Sequence, residues 1–553
     1  MGLVGASPLA AEVKLPTIFT DNMVLQRDQK VPIWGTAAPA EKVVVAFLEQ
    51  IQTIETGADG KWKVWFTPLP VTHEPFSIKV TGTNALEIKN VLVGDVWFCG
   101  GQSNMANPLP GSLNAKDEIA AAHFPEIRDY VAFRQVDLEP QADNRGRWKV
   151  CTPQNAPGFS GVAYFFAREI YQKYGIPIGI IENSLGATNI EAWMDHDALS
   201  SCPELEPWIK DWDAARANLD TEKARYVASL NSWGEAHPAE KAAFDAQLAV
   251  WGDEAQAAKA ANKTPPAVPK SPAGMPFVLP VALARYYLAG YDPATKEIYF
   301  KMHPATAMGC FNGMTLPYIP YGIRGFLWFQ GENNVNHAEF YAAQFAALIK
   351  SWRGKWGQGN IPFLFVQISN WGQPQVDPVE TQKSYPTWRN RSGVREAQML
   401  VSKSVPNTAM ASAVDIGDAV NVHFPNKQDV GHRLALAARA LSYGEKTEYE
   451  GPIYESMAKE GDKLRVKFSH VGGGLVAKDG KLIGFAIAGK DRQFVWADAV
   501  INGSDVILSS PKVPQPTLVY YGWGQNPQLG LYNQEALPAS PFRSDQPAPP
   551  SAD

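Results

Sequence analysis

GDVWFCGGQSNM, residues 94–105, is the stretch on which the reading of this chain turns. Val96, Trp97, Phe98 and Cys99 form an unbroken apolar run, so the segment reads as a strand buried on both faces. Gly100 and Gly101 then permit a tight turn that leaves Ser103 at the strand's carboxyl end. In an open α/β sheet that end is where ligands bind. A serine displayed there beside backbone N–H groups has the physics of a nucleophile elbow, although the spacing is not G-x-S-x-G. Taken alone, the same residues also describe a plain Ser-Asn turn.

Similar strands recur outward from it in IPIGIIEN (176–183), IRGFLWFQG (323–331) and IPFLFVQIS (361–369). Helical stretches such as VAYFFAREIYQKY (162–174) and AEFYAAQFAALIKSW (338–352) alternate with them. Residues 94–443 are therefore expected to form an α/β domain with a mostly parallel sheet covered on both faces. Around 197–280 the chain turns Ala-, Glu- and Lys-rich and then Pro-rich, which reads as a helical insertion ending in a loop. Residues 13–93 carry short β-rich runs, VPIWG, KVVVAFL, KWKVWFTPL and FSIKVTG, and predict an N-terminal β-sandwich. Residues 444–545 return to β character in KLRVKFSH, LIGFAIAG, DVILSS and TLVYYGW and predict a C-terminal β-domain. The absence of a regular internal repeat removes the main support for solenoids and propellers.

Composition narrows the function classes. The 553 residues exceed one small module, and 45% hydrophobic against 19% charged residues describes a globular chain with ample core. Lys+Arg 50 against Asp+Glu 56, a net charge of -6, disfavours a nucleic-acid partner. No run approaches the roughly 18 apolar residues of a membrane span, so none is expected. The start, MGLVGASPLAAEV, has an A-x-A-like arrangement but no basic n-region, so a truncated signal remnant and an ordinary disordered start both stay open. Cys99, Cys151, Cys202 and Cys310 are widely spaced without CxxC, which leaves room for one disulfide and argues against a structural zinc site. His303, His337, His423 and His432 lack HExxH or comparable paired spacing, so no metal and no cofactor are expected.

Six segments in order, DNMVLQRDQKVPIWG, GDVWFCGGQSNM, IENSLGATNIEAWM, FLWFQGENN, VHFPNKQDVGHRLA and LYNQEALPASPFRSD, carry a resemblance that covers most of the chain. Together they resemble the sialate O-acetylesterase-related family of SGNH hydrolases. The resemblance implies a three-layer α/β core, a Ser-His esterase mechanism and acetylated carbohydrate substrates. Position by position it makes Ser103 the nucleophile and His423 the general base that takes its proton. This sequence departs from the DxxH arrangement, because Val420 stands where the aspartate would, and Asn421 stands where relatives often read DIHP. Asp418 is then the first choice and Asp415 the second for the acid that orients His423, with a backbone carbonyl as the dyad alternative. The candidate oxyanion donors are the N–H of Ser103, the N–H of Gly186 and the side-chain amide of Gln330.

Glu332 invites two further roles, a second general base or half of a glycosidase pair with Glu191 or Glu182. A structural role, paired with Arg395, is preferred because a buried carboxylate is costly without a partner. Gln102, Asn104, Glu332 and Trp193 are expected to bind or support substrate. Trp193, Trp328 and Trp388 are candidates for a sugar-facing wall, with core packing as the plain alternative. The expected protein is a secreted or periplasmic carbohydrate O-acetylesterase working through acetyl-Ser103. Plant cell-wall glycans of xylan or xyloglucan type are preferred to sialic acid, given the tryptophan and tyrosine content and the lack of an arginine cluster beside the motifs. A sialate O-acetylesterase, a non-catalytic carbohydrate-binding protein on the same scaffold and a metal-dependent deacetylase are the alternatives.

Overall fold

Residues 94–101 are the carboxyl half of one long strand in the computed structural model, which describes residues 12–260, 266–267, 269–276, 279, 287–292, 297–381, 390–548 and 550. The central strands are β1 (Ala85–Gly101), β2 (Phe124–Ala132), β3 (Gly146–Cys151), β4 (Ile178–Ser184), β5 (Gly325–Phe329), β6 (Phe363–Gln367) and β7 (Thr408–Ser412). They lie in the order β7-β6-β5-β1-β4-β2-β3. Every neighbouring pair is parallel except β2 with β3. The expected α/β class with a mainly parallel sheet is thus observed.

The period of two along a strand divides the apolar residues between two cores. Trp97, Cys99, Leu327, Phe329, Leu364 and Val366 fall in one, with Phe165 and Phe166 of α2 (Gly161–Tyr174) and Leu434 of α5 (Lys427–Tyr443). Phe98, Phe326, Trp328, Phe363 and Phe365 fall in the other, with Trp352 and Trp356 of α3 (Ala338–Trp356) and Leu400 of α4 (Arg391–Ser404). Each buried aromatic or leucine contributes about 1.5–3 kcal/mol relative to exposure, which is why these strands carry no polar alternation.

From β1 the chain goes to β2, returns to β4 beside β1, then crosses to the far side of β1 for β5, β6 and β7. The winding reverses at β1, and the crevice at the carboxyl ends of β4, β1 and β5 is a topological switch point. Gly101 is fixed by the crowding there. Its φ is +132°, and a Cβ on it would lie 2.2 Å from the Phe329 carbonyl oxygen, a position that only glycine fills.

The flanking regions are built of β-strands. The amino half of β1 pairs with Thr72–Thr81 and with Val24–Gln26, up to Gly94, and the carboxyl half pairs with β4 from Asp95 onward. The expected division after residue 93 therefore falls inside a continuous strand. At that junction the buried Asp95 accepts hydrogen bonds from Gln26, Arg27 and the Tyr443 hydroxyl. Residues beyond 443 form two four-stranded sheets and a two-stranded one. The stretch around 197–280 holds the helices Glu206–Arg216, Leu219–Ala236 and Pro238–Ala260. All four cysteines are free and buried, which corrects the allowance for a disulfide. Residues 1–11, with the signal question, lie outside the described residues.

Candidate active site

Ser103 opens α1 (Ser103–Ala106), the short helix that follows β1. Its seat is held from three sides. The Gln102 N–H donates to the Phe329 carbonyl at the end of β5. The Leu185 N–H, after β4, donates to the Gly101 carbonyl. The N-cap hydroxyl of α2, Ser160, donates to the Met105 carbonyl at 2.6 Å while accepting from the Ala163 N–H, so one side chain both caps a helix and braces α1.

Gly186 comes up against this seat: a Cβ built on it would lie 3.4 Å from the Ser103 Cβ. The N–H groups of Ser103 and Gly186 donate to no acceptor among the described residues. Both stand beside the serine with unspent donors, as an oxyanion hole requires.

Gln330 does not join them. It is fully buried, and its Nε2 donates to the Thr188 carbonyl at 3.0 Å and to Asn334 Oδ1 at 2.8 Å, while its Oε1 accepts from Tyr341. An amide whose protons are spent inside the core has none left for an oxyanion.

His423 sits on the loop between β7 and α5. β7 lies three strands from β1, roughly 14 Å at the usual strand spacing, so the loop must cross the sheet's carboxyl edge. It is held against α1 by Asn104, whose Nδ2 donates to the Val422 carbonyl at 3.1 Å. Among the described residues no hydrogen bond joins the Ser103 hydroxyl to the His423 ring, and hydrogen bonds of this kind often tighten only when substrate is bound. His423 is exposed at the rim, yet enough of its ring is enclosed for desolvation, with the nearby Lys427 charge, to push its pKa below the ordinary imidazole value against the pull of Glu332. Its surroundings therefore favour the neutral imidazole, the form that accepts a proton.

Neither aspartate orients it. Asp418 Oδ1 accepts the N–H groups of Val420 at 2.8 Å and Asn421 at 3.0 Å, a local turn, and these bonds hold its carboxyl below the usual range. Asp415 is forked onto Arg433, at 2.6 and 3.0 Å, and accepts from the Tyr532 hydroxyl. The expectation of a reaching Asp418 fails because five residues of loop bend its carboxylate back onto its own backbone.

Glu332 is structural, but not through Arg395. Its carboxylate accepts from Gln102 Nε2 at 2.5 Å and from Asn104 Nδ2 at 2.6 Å, the two residues flanking Ser103. Arg395 is fully buried and donates to the carbonyls of Ile368, Ser369, Gly524 and Gln525. Glu191 accepts from Asn334 and Gln344, and Glu182, buried in β4, accepts from Ser184. Trp193 and Trp328 are fully buried and packed edge to face at 5.9 Å, so they belong to the core and not to a sugar wall. Trp388 lies outside the described residues. His432 pairs with Glu169, and His303 accepts from the Ala305 N–H.

One residue escaped the sequence reading. Lys427, the first residue of α5, is fully buried and donates to Asn104 Oδ1 at 2.7 Å. Its ammonium stands 4.0 Å from the centre of the Phe424 ring. Burial pushes its pKa down to about 7, opposed by Glu332. The available signal was its position: a cation at a helix N-terminus faces the unfavourable end of the dipole.

A serine raised at the switch point of a mainly parallel sheet, with free N–H groups beside it and an imidazole on the adjoining loop, has the makeup of an ester hydrolase on an α/β scaffold. Residues 305–440 match the family model described as carbohydrate esterase, sialic acid-specific acetylesterase. The sialate O-acetylesterase of Rattus norvegicus is 26% identical over 95% of this chain and 93% of its own length. That of Homo sapiens is 24% identical over 96% and 92%. The crystal structure of a carbohydrate acetylesterase from Xanthomonas citri superposes with a TM-score of 0.73 at 31% identity, covering 97% of this chain and 100% of that one. The chain belongs to the sialate O-acetylesterase-related family of carbohydrate esterases and is an acetylesterase.

Proposed function

We propose that this enzyme removes O-acetyl groups from glycans through an acetyl-Ser103 intermediate on a three-layer SGNH-type core. The observation that carries the reading is Ser103 at the switch point with the unspent N–H groups of Ser103 and Gly186 beside it. The Ser103 Oγ attacks the acetyl carbonyl carbon while its proton passes to His423, and the two N–H groups take the charge on the carbonyl oxygen. Collapse breaks the bond to the sugar oxygen, which leaves with the proton from His423. Water, deprotonated in turn by His423, attacks the acetyl carbon and frees acetate and Ser103. With both nearby aspartates engaged elsewhere, the reading is a Ser-His dyad.

The glycan is read here as a neutral plant-type polysaccharide or oligosaccharide met outside the cytoplasm, with sialic acid as the second reading. The buried Trp193 and Trp328 withdraw part of the aromatic argument for the first. The engagement of Arg391 and Arg395 with backbone carbonyls leaves neither guanidinium free for a sialate carboxylate. Acetate release from acetylated xylan, xyloglucan oligosaccharides and O-acetylated sialic acid, for wild type, Ser103→Ala and His423→Ala, tests the proposal. Both variants should lose turnover by about 10³-fold or more. A fully active Ser103→Ala would overturn the mechanism, and release from sialate alone would overturn the glycan preference.

A further inference from the structure

Lys427 is placed where a lysine is expensive twice over. It is fully removed from water, and it stands at the positive end of a 17-residue helix. A leucine or methionine would fill the same space against Phe329, Phe424 and the Gly161 backbone at no electrostatic cost. What the lysine supplies is an N–H donor aimed at the Asn104 side-chain oxygen.

That donor sets the Asn104 amide. With Oδ1 facing the ammonium, Nδ2 must face the other way, where it donates to Glu332 at 2.6 Å and to the Val422 carbonyl at 3.1 Å. Asn104 follows the nucleophile directly, and Val422 precedes the base directly. One amide thus spans the two halves of the catalytic pair, and only one of its two orientations does so.

We infer that Lys427 is a positioning residue of the esterase: it fixes the Asn104 amide that pins the His423 loop to the Ser103 helix, and with Glu332 it balances the charge facing the imidazole. The inference rests on the reading of His423 as general base. The charged groups that face the ring are Lys427 from α5 and Glu332 from the loop after β5. On the ring's own loop Asp418 is turned to the N–H groups of Val420 and Asn421, and on α5 Asp429 is bonded to Asn426. Lys427 and Glu332 push the imidazole in opposite directions, so their removal should move it in opposite directions.

The experiment follows the His423 ring by NMR titration in wild type, Lys427→Met and Glu332→Gln, the resonance being the one lost in His423→Asn, beside the pH profile of kcat/KM on a small acetyl ester. The midpoint should rise in Lys427→Met and fall in Glu332→Gln, with the acidic limb of kcat/KM moving the same way. In Lys427→Met, kcat should fall about 10- to 100-fold with KM changed less than about threefold. Lys427→Arg, which keeps the charge, should leave the midpoint near wild type, and it carries the test with Glu332→Gln if the methionine variant does not fold. A midpoint unmoved in Lys427→Met and in Glu332→Gln, or one displaced in Lys427→Arg as far as in Lys427→Met, overturns the inference with the esterase reading intact. A fully active His423→Asn overturns that reading, and the inference falls with it.

Discussion

Asp418 and an asparagine in its place have the same shape and differ by one charge, which makes Asp418→Asn a clean question. A triad aspartate changed to asparagine costs about 10⁴ in kcat through the wrong imidazole tautomer. Here the side-chain oxygen only receives the Val420 and Asn421 N–H groups, and an amide oxygen receives them as well. We expect kcat within about threefold of wild type, read in the acetate-release assay, and a loss beyond 10²-fold would restore Asp418 to the imidazole. The placement of Ser103 at the carboxyl end of a buried strand was legible in the sequence, because the apolar run and the two glycines before it define it. The roles of Asp418 and Gln330 were not, since spacing along a chain does not say which way a loop bends or which neighbour takes an amide proton first. Lys427 was missed for a related reason: a lysine after Pro-Asn looks like a solvated turn until the rings around it are seen, and its place at a helix start is a weak signal by itself.

At the level of single strands, β2 carries a carboxyl with nowhere to go. Asp129 is 1% exposed, and neither of its oxygens has a hydrogen-bond partner among the described residues. Desolvation, with the nearby Glu182 carboxyl on β4, raises its pKa well above the usual carboxylate range. The unfolded aspartate ionises near pH 4, so above that pH folding must take up a proton. The folded state then binds more protons than the unfolded one, and stability falls as pH rises until the folded pKa is passed. Asp129→Asn removes that cost, at about 1.4 kcal/mol per unit of displacement. The variant should melt at the wild-type temperature near pH 4 and above it at pH 8; identical melting curves at both would refute the argument. The strands themselves were legible, because a short unbroken apolar run bounded by turn residues fits a strand buried on both faces. An acid buried in the strand FPEIRDYVA was not, because Glu126, Arg128 and Asp129 there break any apolar run or alternation that would mark one of them as enclosed.

For the whole molecule, the C-terminal β-region is tied into the sheet edge that carries the His423 loop. Gly524 and Gln525 supply two of the four carbonyls that receive Arg395. Asn526 bonds Asn370, whose side chain accepts the Gly417 N–H on the loop that leads to His423. A chain ending at Tyr443 would leave the Arg395 charge short of partners, a defect of about 3–5 kcal/mol for a buried charge. We expect such a chain to be insoluble or at least 10²-fold less active, assayed by acetate release after size-exclusion chromatography; a soluble, fully active product would show that the region is dispensable. The sequence marked this region as a separate β-domain because its composition changes at Gly444. Composition does not report hydrogen bonds between side chains and distant carbonyls.

The continuity of β1 has a consequence for how such an enzyme can be cut or recombined. The strand that delivers Ser103 is also a rung of the N-terminal sheet, held at their meeting point by Asp95 from both directions. Removing the first 84 residues would strip the partners from half a strand and expose a sticky edge. The N-terminal region is in that sense an heirloom of the hydrolase: it travels with Ser103 and cannot be traded for another module at their seam.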